Sequence, residues 1–193
     1  MLVLITVSIS AQSLSSKDKK DIETRMDEYF VYTQENDYVN MMEYVYPKIF
    51  TLASKEQLVE VFSGMEAMGI RLNVKDIEIN EIQALMTKDD KQYAVANYDI
   101  DIRLDLLNEL MQSDEAVESL KSSFKVSYDA TDMSYDKEAG ALSFHGKKWM
   151  LAIKDPEFDG DNWYFLEYDA SNPMAAEMIL DGDVLTMFKK KMN

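Results

Sequence analysis

The sequence predicts an α+β protein with an antiparallel sheet. Apolar residues recur with a helical period in residues 15–69, and the period changes to two between Ile70 and Leu106. Helical patterns return after Asn172, beyond two further β-rich runs. Because the helices form a block ahead of a meandering sheet, the order differs from the alternation of an α/β fold. No repeat or linker interrupts the chain, so we expect one domain over residues 12–193.

The helical block begins with well-marked boundaries. Ser15 is placed to start a helix whose apolar face consists of Ile22, Met26, Tyr29, Phe30 and Thr33. Asn36 and Asp37 break this helix, and Asp37 is expected to cap a short second one. Pro47 disfavours helical backbone at the preceding residue, so the second helix should end at Tyr46.

A third helix and two strands follow. Ser54 and Gln57 have the spacing of a capping box, and the helix that they begin should end at Gly69. The alternation that starts at Ile70 slips by one residue at Asp76, which predicts a bulge in a long strand. Residues 87–90 form a polar turn. The strand at 98–106 then has two distinct sides, one with Tyr98, Ile100, Ile102, Leu104 and Leu106 and the other with Asp99, Asp101, Arg103 and Asp105.

The second half of the chain continues with a helix from Ser113, on which Val117, Leu120 and Phe124 share a face. Two β-rich runs at 141–153 and 162–168 follow, the first of them possibly folded at 145–147, with a turn at 155–161 between the two. Asn172 and Pro173 then predict a helix with an N-cap and a proline at its first position. Gly182 should interrupt that helix, and Asp183 should cap a last short one through Phe188.

The order of elements resembles the nuclear-transport-factor-2-like superfamily. Three stretches carry the resemblance: YVYPKIF at 44–50, MLAIKD at 150–155 and WYFLEY at 163–168. The resemblance covers about residues 18–170. It implies a curved sheet that wraps the N-terminal helices into a cone, which here would carry extra C-terminal helices. It also implies a pocket between helices and sheet, and in some members a carboxylate that abstracts protons.

The composition excludes several classes of site. The chain has one histidine, His145, and no cysteine, so Cys nucleophiles, zinc ribbons and disulfide frameworks are ruled out. A formal charge of −16 argues against binding to nucleic acid, which requires clustered Lys and Arg. We expect no cofactor and no metal.

Residues 1–9 are apolar and lead into the small residues Ser10 and Ala11, which fits a signal-peptidase site. We expect residues 1–11 to be removed, the mature chain to begin near Ala11 or Gln12, and the protein to be exported to a periplasmic or extracellular space. The alternative is a first β-strand or a buried N-terminal tail. The run is too short to span a bilayer.

Two acidic groups are candidate functional sites. Residues 155–161 alternate carboxylates before Gly160, as in the first half of a calcium loop, but Leu166 stands where the last ligand would be. A polar turn is the favoured interpretation. Asp99, Asp101 and Asp105 would include a general base if their face lined a cavity. The apolar residues of the same strand compete for the interior, so the aspartates should face solvent.

One histidine and a group of aromatic residues are further candidate sites. His145 could pair with Ser143, yet no nucleophile elbow surrounds that serine, so a surface histidine in a turn is favoured. Aromatic residues crowd the N-terminal helices and could bind an apolar ligand, although core packing is the simpler interpretation: Tyr29, Phe30, Tyr32, Tyr38, Tyr44, Tyr46 and Phe50.

The runs 149–153 and 163–166 are apolar on both sides, so both of their faces need cover. We expect the C-terminal segment to supply it through Met178, Ile179, Leu185 and Phe188, and a second copy of the chain is the alternative. A monomer is therefore favoured.

The sequence predicts an exported, non-catalytic binding or accessory domain whose partner is a small apolar ligand or a protein. The alternative is a small enzyme of isomerase or cyclase type that uses a buried carboxylate and a tyrosine in the cone pocket. A structural or stress-related envelope protein is the third hypothesis.

Overall fold

The computed structural model describes residues 13–192 and confirms the α+β prediction. The helices are α1 Ser16–Glu35, α2 Tyr38–Met41, α3 Lys55–Gly64, α4 Asp114–Ser127, α5 Met174–Ile179 and α6 Gly182–Met192. The strands are β1 Ile70–Lys88, β2 Lys91–Leu106, β3 Thr131–Asp136, β4 Ala141–Lys154 and β5 Tyr164–Glu167. Residues 1–11, the expected signal peptide, lie outside the described range.

The predicted helix starts in the first half are confirmed. The Ser15 hydroxyl accepts a hydrogen bond from the Asp18 backbone N–H, and Ser54 and Gln57 form the capping box at the start of α3. The predicted ends are wrong in two places. The second helix ends at Met41, not Tyr46, and a 3₁₀ helix at Pro47–Thr51 follows it. α3 ends at Gly64, before the predicted Gly69.

The five strands form one curved, unclosed antiparallel sheet. Its order is β1-β2-β4-β3, and β5 also pairs with β4. The bulge predicted at Asp76 is present as a register shift between Val74 and Asp76, and β1 has two more shifts further along. These bulges let a 19-residue strand bend around the helices while staying paired with β2.

The structure corrects the prediction for the strands after α4. β4 runs without interruption through His145, Gly146 and Lys147, where a fold in the chain had been one possibility. β3, which the sequence pattern did not reveal, pairs with β4 beside this stretch. Gly146 allows Tyr128 to pass close to the strand. A Cβ at position 146 would lie 3.0 Å from the Tyr128 Cβ.

The inner face of the sheet packs on α1, α2 and α4. Its buried residues interdigitate with the apolar side of α1, as the sequence pattern predicted, and the side chains fill the space between helix and sheet. The contributors from α1 are Ile22, Met26, Tyr29 and Phe30, and those from β2 include Tyr98, Ile100, Ile102, Leu104 and Leu106.

The outer face is covered over one half by the C-terminal segment, as predicted. Leu180, Val184, Leu185 and Phe188 are buried against Val95, Leu151, Ile153 and Leu166 of the sheet. Met178 was expected to share in this contact, but it is 64% exposed. The caps also differ from the prediction. Pro173, not Asn172, is the N-cap of α5 and has no side-chain cap bond, and α6 begins at Gly182, one residue before Asp183.

Candidate functional site

A polar cluster lies on the inner side of the sheet, where α1, β2, β4 and β5 meet. The Glu167 carboxylate is its centre. One carboxylate oxygen, Oε1, accepts hydrogen bonds from the hydroxyls of Tyr29 and Tyr98, both at 3.0 Å. The other, Oε2, accepts from Lys148 Nζ at 2.8 Å. Four elements thus contribute one polar side chain each to a shared group.

Strand register brings these residues together. Tyr98 of β2 is directly opposite Lys148 of β4, and Met150 of β4 is directly opposite Glu167 of β5. Because side chains alternate along a strand, Lys148 and Met150 point to the same face, and so do their partners. Tyr29 reaches the same point from the apolar side of α1, one of whose buried residues it is.

Tyr128 completes the surroundings of the lysine. Its ring centroid lies 4.4 Å from Lys148 Nζ, a distance typical of a cation–π contact. The Tyr128 carbonyl accepts a hydrogen bond from the Lys147 backbone N–H at 2.6 Å, which fixes the segment after α4 against β4. The close approach at Gly146 allows this position.

Charge pairing decides the protonation states in the cluster. Burial by itself would raise the pKa of Glu167, but the Lys148 charge and the hydrogen bonds from Lys148, Tyr29 and Tyr98 outweigh it and hold the pKa below the ordinary value of 4.5. Burial would lower the pKa of Lys148, yet Glu167 raises it. Burial and the neighbouring carboxylate raise the pKa of Tyr29 and of Tyr98. At neutral pH the cluster is an ion pair with two neutral tyrosines.

The members of the cluster differ in exposure. The Lys148 side chain is 7% exposed, whereas the Glu167 side chain keeps 32% of its surface exposed. Among the described residues, four surface clefts are present that are lined by none of Glu167, Tyr29 and Tyr98. The cluster is therefore partly exposed at the Glu167 side chain, but it does not line any of these clefts.

Another carboxylate, this one fully buried, lies at the end of β4 on the other side of the sheet. Asp155 is fully buried, and its Oδ2 accepts a hydrogen bond from the Tyr46 hydroxyl at 2.6 Å. Lys91 Nζ is 3.4 Å from the same oxygen, and Oδ1 accepts from the Glu157 backbone N–H at 3.0 Å. Burial would raise the pKa of Asp155, but the bonds from Tyr46 and Glu157 and the Lys91 charge lower it.

The turn predicted at 155–161 is confirmed, and the Asp155 side chain is buried on the outer face of the sheet, where it binds Tyr46. Asp159 accepts a hydrogen bond from the Asn162 side chain. Within residues 13–192, no group of three or more His, Asp or Glu side chains is arranged to hold a metal ion.

The predicted orientation of the aspartate row is confirmed. Asp101 is 52% exposed, and it pairs with His145 Nδ1 at 2.9 Å on the outer face. Asp105 accepts from Arg103 and from Asn73 on the same face. His145 is a surface histidine, as favoured, but it lies within β4 and not in a turn, and its partner is Asp101, not Ser143.

The aromatic group divides into buried and half-buried members. Tyr29, Phe30 and Tyr46 are buried, and the others are half-buried. The core-packing interpretation is therefore confirmed for the rings. Their hydroxyls do not all reach the edge, because those of Tyr29 and Tyr46 bind the two interior carboxylates.

Sequence reasoning missed Glu167, Lys148 and Tyr128 as a cluster. A signal for two of them was present. Lys148 and Glu167 are opposite charges at the borders of the two runs that are apolar on both sides. Such runs are buried, and a buried charge needs a partner of opposite sign. Nothing local to Tyr128 indicates its part in the site.

No protein-family model matches the chain, and no curated protein sequence matches it. Within the described residues, no helix combines the length and the apolar character needed to cross a membrane.

Proposed function

We propose that the chain is a non-catalytic binding or accessory domain, exported from the cell and related in fold to the nuclear-transport-factor-2-like superfamily. The state of Glu167 carries the proposal. A general base needs a pKa near the working pH and a free lone pair aimed at a substrate. Glu167 instead has a lowered pKa and three donors on its two oxygens.

The filled interior supports the same proposal. Buried side chains of α1 and the inner sheet face occupy the space that a ligand would need in a hollow cone. Binding would then take place on the surface, with the Glu167 cluster holding helix, sheet and the segment after α4 in fixed positions.

One observation favours the alternative of a small isomerase- or cyclase-type enzyme. Glu167 is a carboxylate with two tyrosine hydroxyls at 3.0 Å and a side chain that is 32% exposed. In that alternative Lys148 would move away on ligand binding, which would free the carboxylate to accept a proton.

Carboxyl carbon NMR of protein labelled at glutamate decides between the two. We expect Glu167 to titrate below 4.5, its ordinary value. Assignment rests on the Glu167→Gln spectrum. A Glu167 pKa above about 6, the range of tuned catalytic carboxylates, would overturn the non-catalytic proposal.

Export is tested separately in the native host. The periplasmic or extracellular fraction should contain a chain that begins near Ala11 or Gln12, as identified by mass spectrometry of its N-terminal peptide. A chain with Met1 intact in the cytosolic fraction would contradict export.

A further inference from the structure

A groove lies between α3 and the beginning of β1. Its volume is about 430 Å³, within the roughly 300–1,000 Å³ usual for ligand sites. Phe62 of α3 and Met65, the residue that follows α3, line one side, and Leu72 of β1 lines the other. The Phe62 ring stacks on Tyr38 at 5.2 Å between centroids, so two aromatic rings line one end of the groove.

The second feature of this groove is the edge of the sheet. β1 ends the strand order, and β2 is its one partner among the described strands. Arg71, Leu72 and Asn73 keep regular register with β2 ahead of the first bulge. Every second residue of an edge strand directs its N–H and C=O away from its partner. The described backbone hydrogen bonds of Arg71, Leu72 and Asn73 are those that they form with β2. In addition, the Asn73 side-chain amide lies 3.5 Å from the Arg71 carbonyl oxygen.

The polar groups of the groove suit a peptide better than a small ligand. Glu66 and Arg71 form an ion pair with each other, and their side chains are 58% and 49% exposed. Small-molecule sites orient their ligands with convergent buried polar groups, and the lining residues offer none. A strand edge beside an apolar groove is the arrangement that β-augmentation uses, since backbone bonds give affinity and the groove selects a side chain.

Charge indicates the character of the partner. The chain carries −16, which opposes the approach of a second copy and favours a basic partner through long-range attraction. Glu35 and Asp37 flank Asn36, one of the lining residues, so the local sign at that end of the groove is also negative.

We propose that this groove binds an extended segment of a partner protein. The segment adds as a strand to β1 near Leu72, inserts an apolar side chain between Phe62 and Met65, and carries Lys or Arg on both flanks. The inference rests on the proposed binding function and names the surface and partner chemistry through which that function operates.

The test uses a fluorescein-labelled peptide of about nine residues, a typical strand length. It has phenylalanine at its centre, valine on either side, and alternating threonine and lysine beyond. Its matched control has the same sequence with N-methyl groups on alternate residues of the edge that would face β1, which removes the backbone donors. Ser63→Trp fills the groove from an exposed position of α3, and Val61→Trp adds the same ring to that helix outside the groove.

Fluorescence anisotropy should show saturable binding to the full chain and to Val61→Trp. Both Ser63→Trp and the N-methylated peptide should weaken binding by about tenfold or more, a loss of about 1.4 kcal/mol. Thermal unfolding confirms that both variants are folded. Equal affinity for Ser63→Trp, or no saturation by the wild type up to about 1 mM, would overturn the proposal.

Analytical ultracentrifugation of the protein without peptide measures its oligomeric state. A dimer that forms with increasing concentration and is lost in Ser63→Trp would assign the groove to a second copy and overturn the peptide partner. The Glu167 titration distinguishes failure of the groove proposal from failure of the non-catalytic function. A low Glu167 pKa without peptide binding removes the groove proposal alone, whereas a Glu167 pKa above about 6 removes the non-catalytic function.

Discussion

The two interior carboxylates lie on opposite faces of one sheet and are neutralised in different ways. Glu167 binds two tyrosine hydroxyls and a lysine that is itself only 7% exposed. Asp155 binds one tyrosine hydroxyl, a backbone N–H and, at the longer distance of 3.4 Å, a lysine that is 19% exposed. The inner centre is an ion pair between a buried lysine and a carboxylate whose side chain is 32% exposed. The outer centre is chiefly a hydrogen-bonded anchor for the turn after β4.

Because of this difference, removing each charge should affect stability to a different extent. Removing the acidic partner of a buried lysine leaves the lysine charge without a counterion. This lowers the free energy of unfolding by more than the ion pair contributed to it. Removing the charge of a hydrogen-bonded anchor leaves its donors with a neutral acceptor of the same shape. The two centres should therefore respond differently to isosteric substitutions.

Removal of the C-terminal cover should have the largest effect and should act on the outer face alone. Truncation after Ser171 deletes Leu180, Val184, Leu185 and Phe188, each worth about 1.5–3 kcal/mol when buried. Their sum is comparable to a whole domain's stability of about 5–15 kcal/mol. We expect aggregation or dimerisation in size-exclusion chromatography. A truncated chain that stays monomeric with unchanged urea unfolding would show that the cover is dispensable.

Glu167→Gln should destabilise the protein by about 3–5 kcal/mol, because it leaves the buried Lys148 charge without a counterion. Combining it with Lys148→Met should recover most of the loss, since the amide oxygen still accepts from the tyrosines. Urea unfolding of both variants measures the free energies. Asp101→Asn is the control because it breaks an exposed pair, worth less than about 1 kcal/mol. Equal losses in Glu167→Gln and the double variant would disprove the ion-pair account.

Asp155→Asn, the matching isosteric change at the outer centre, should cost less, about 1–3 kcal/mol. The amide oxygen can accept from Tyr46 or from the Glu157 N–H, but its NH₂ group then faces the other donor. Chemical denaturation under the same conditions gives the comparison. If Asp155→Asn proves more damaging than Glu167→Gln, the distinction between pair and anchor is reversed.

The two centres should also differ in the pH at which each begins to destabilise the fold. Glu167 and Asp155 both have a lowered pKa, from ordinary values of 4.5 and 3.8. Stability from such a group is present above the ordinary pKa and is lost as the pH falls through the folded-state pKa. The double variant of Glu167 and Lys148 should therefore lose less stability than the wild type below 4.5. Above 3.8 the stability of Asp155→Asn should stay below that of the wild type by a constant amount, and below 3.8 this gap should narrow. Parallel pH profiles for all three proteins would contradict the assignment.

The sequence predicted those features that depend on neighbours along the chain. Ser54 and Gln57 mark a helix start within one turn, and the alternation from Tyr98 to Leu106 assigns each residue to a face without knowledge of the partner strand. The cover of the outer face was also predictable, because a run that is apolar on both sides requires it.

The rest depended on pairing between distant segments. β3 is polar, has a left-handed residue at Asp132 and is a strand only because β4 pairs with it. Gly146 suggested a turn, but its actual role is to admit Tyr128, which no local pattern reveals. Lys148 and Glu167 meet through two successive strand registers, and a shift of one residue in either would send one charge to the opposite face.

The turn between β1 and β2 has a consequence for folding kinetics. It consists of Asp89 and Asp90, with φ of 49° and 63°, the left-handed pair of a type I′ hairpin. Closing such a short loop costs little entropy, and hairpins form in about 1–10 μs. β4 joins β2 only after α4 and β3 have been spanned. We therefore expect the hairpin to be structured in the folding transition state, so that changes at Asp90 alter the folding rate while changes at Phe188 alter the unfolding rate.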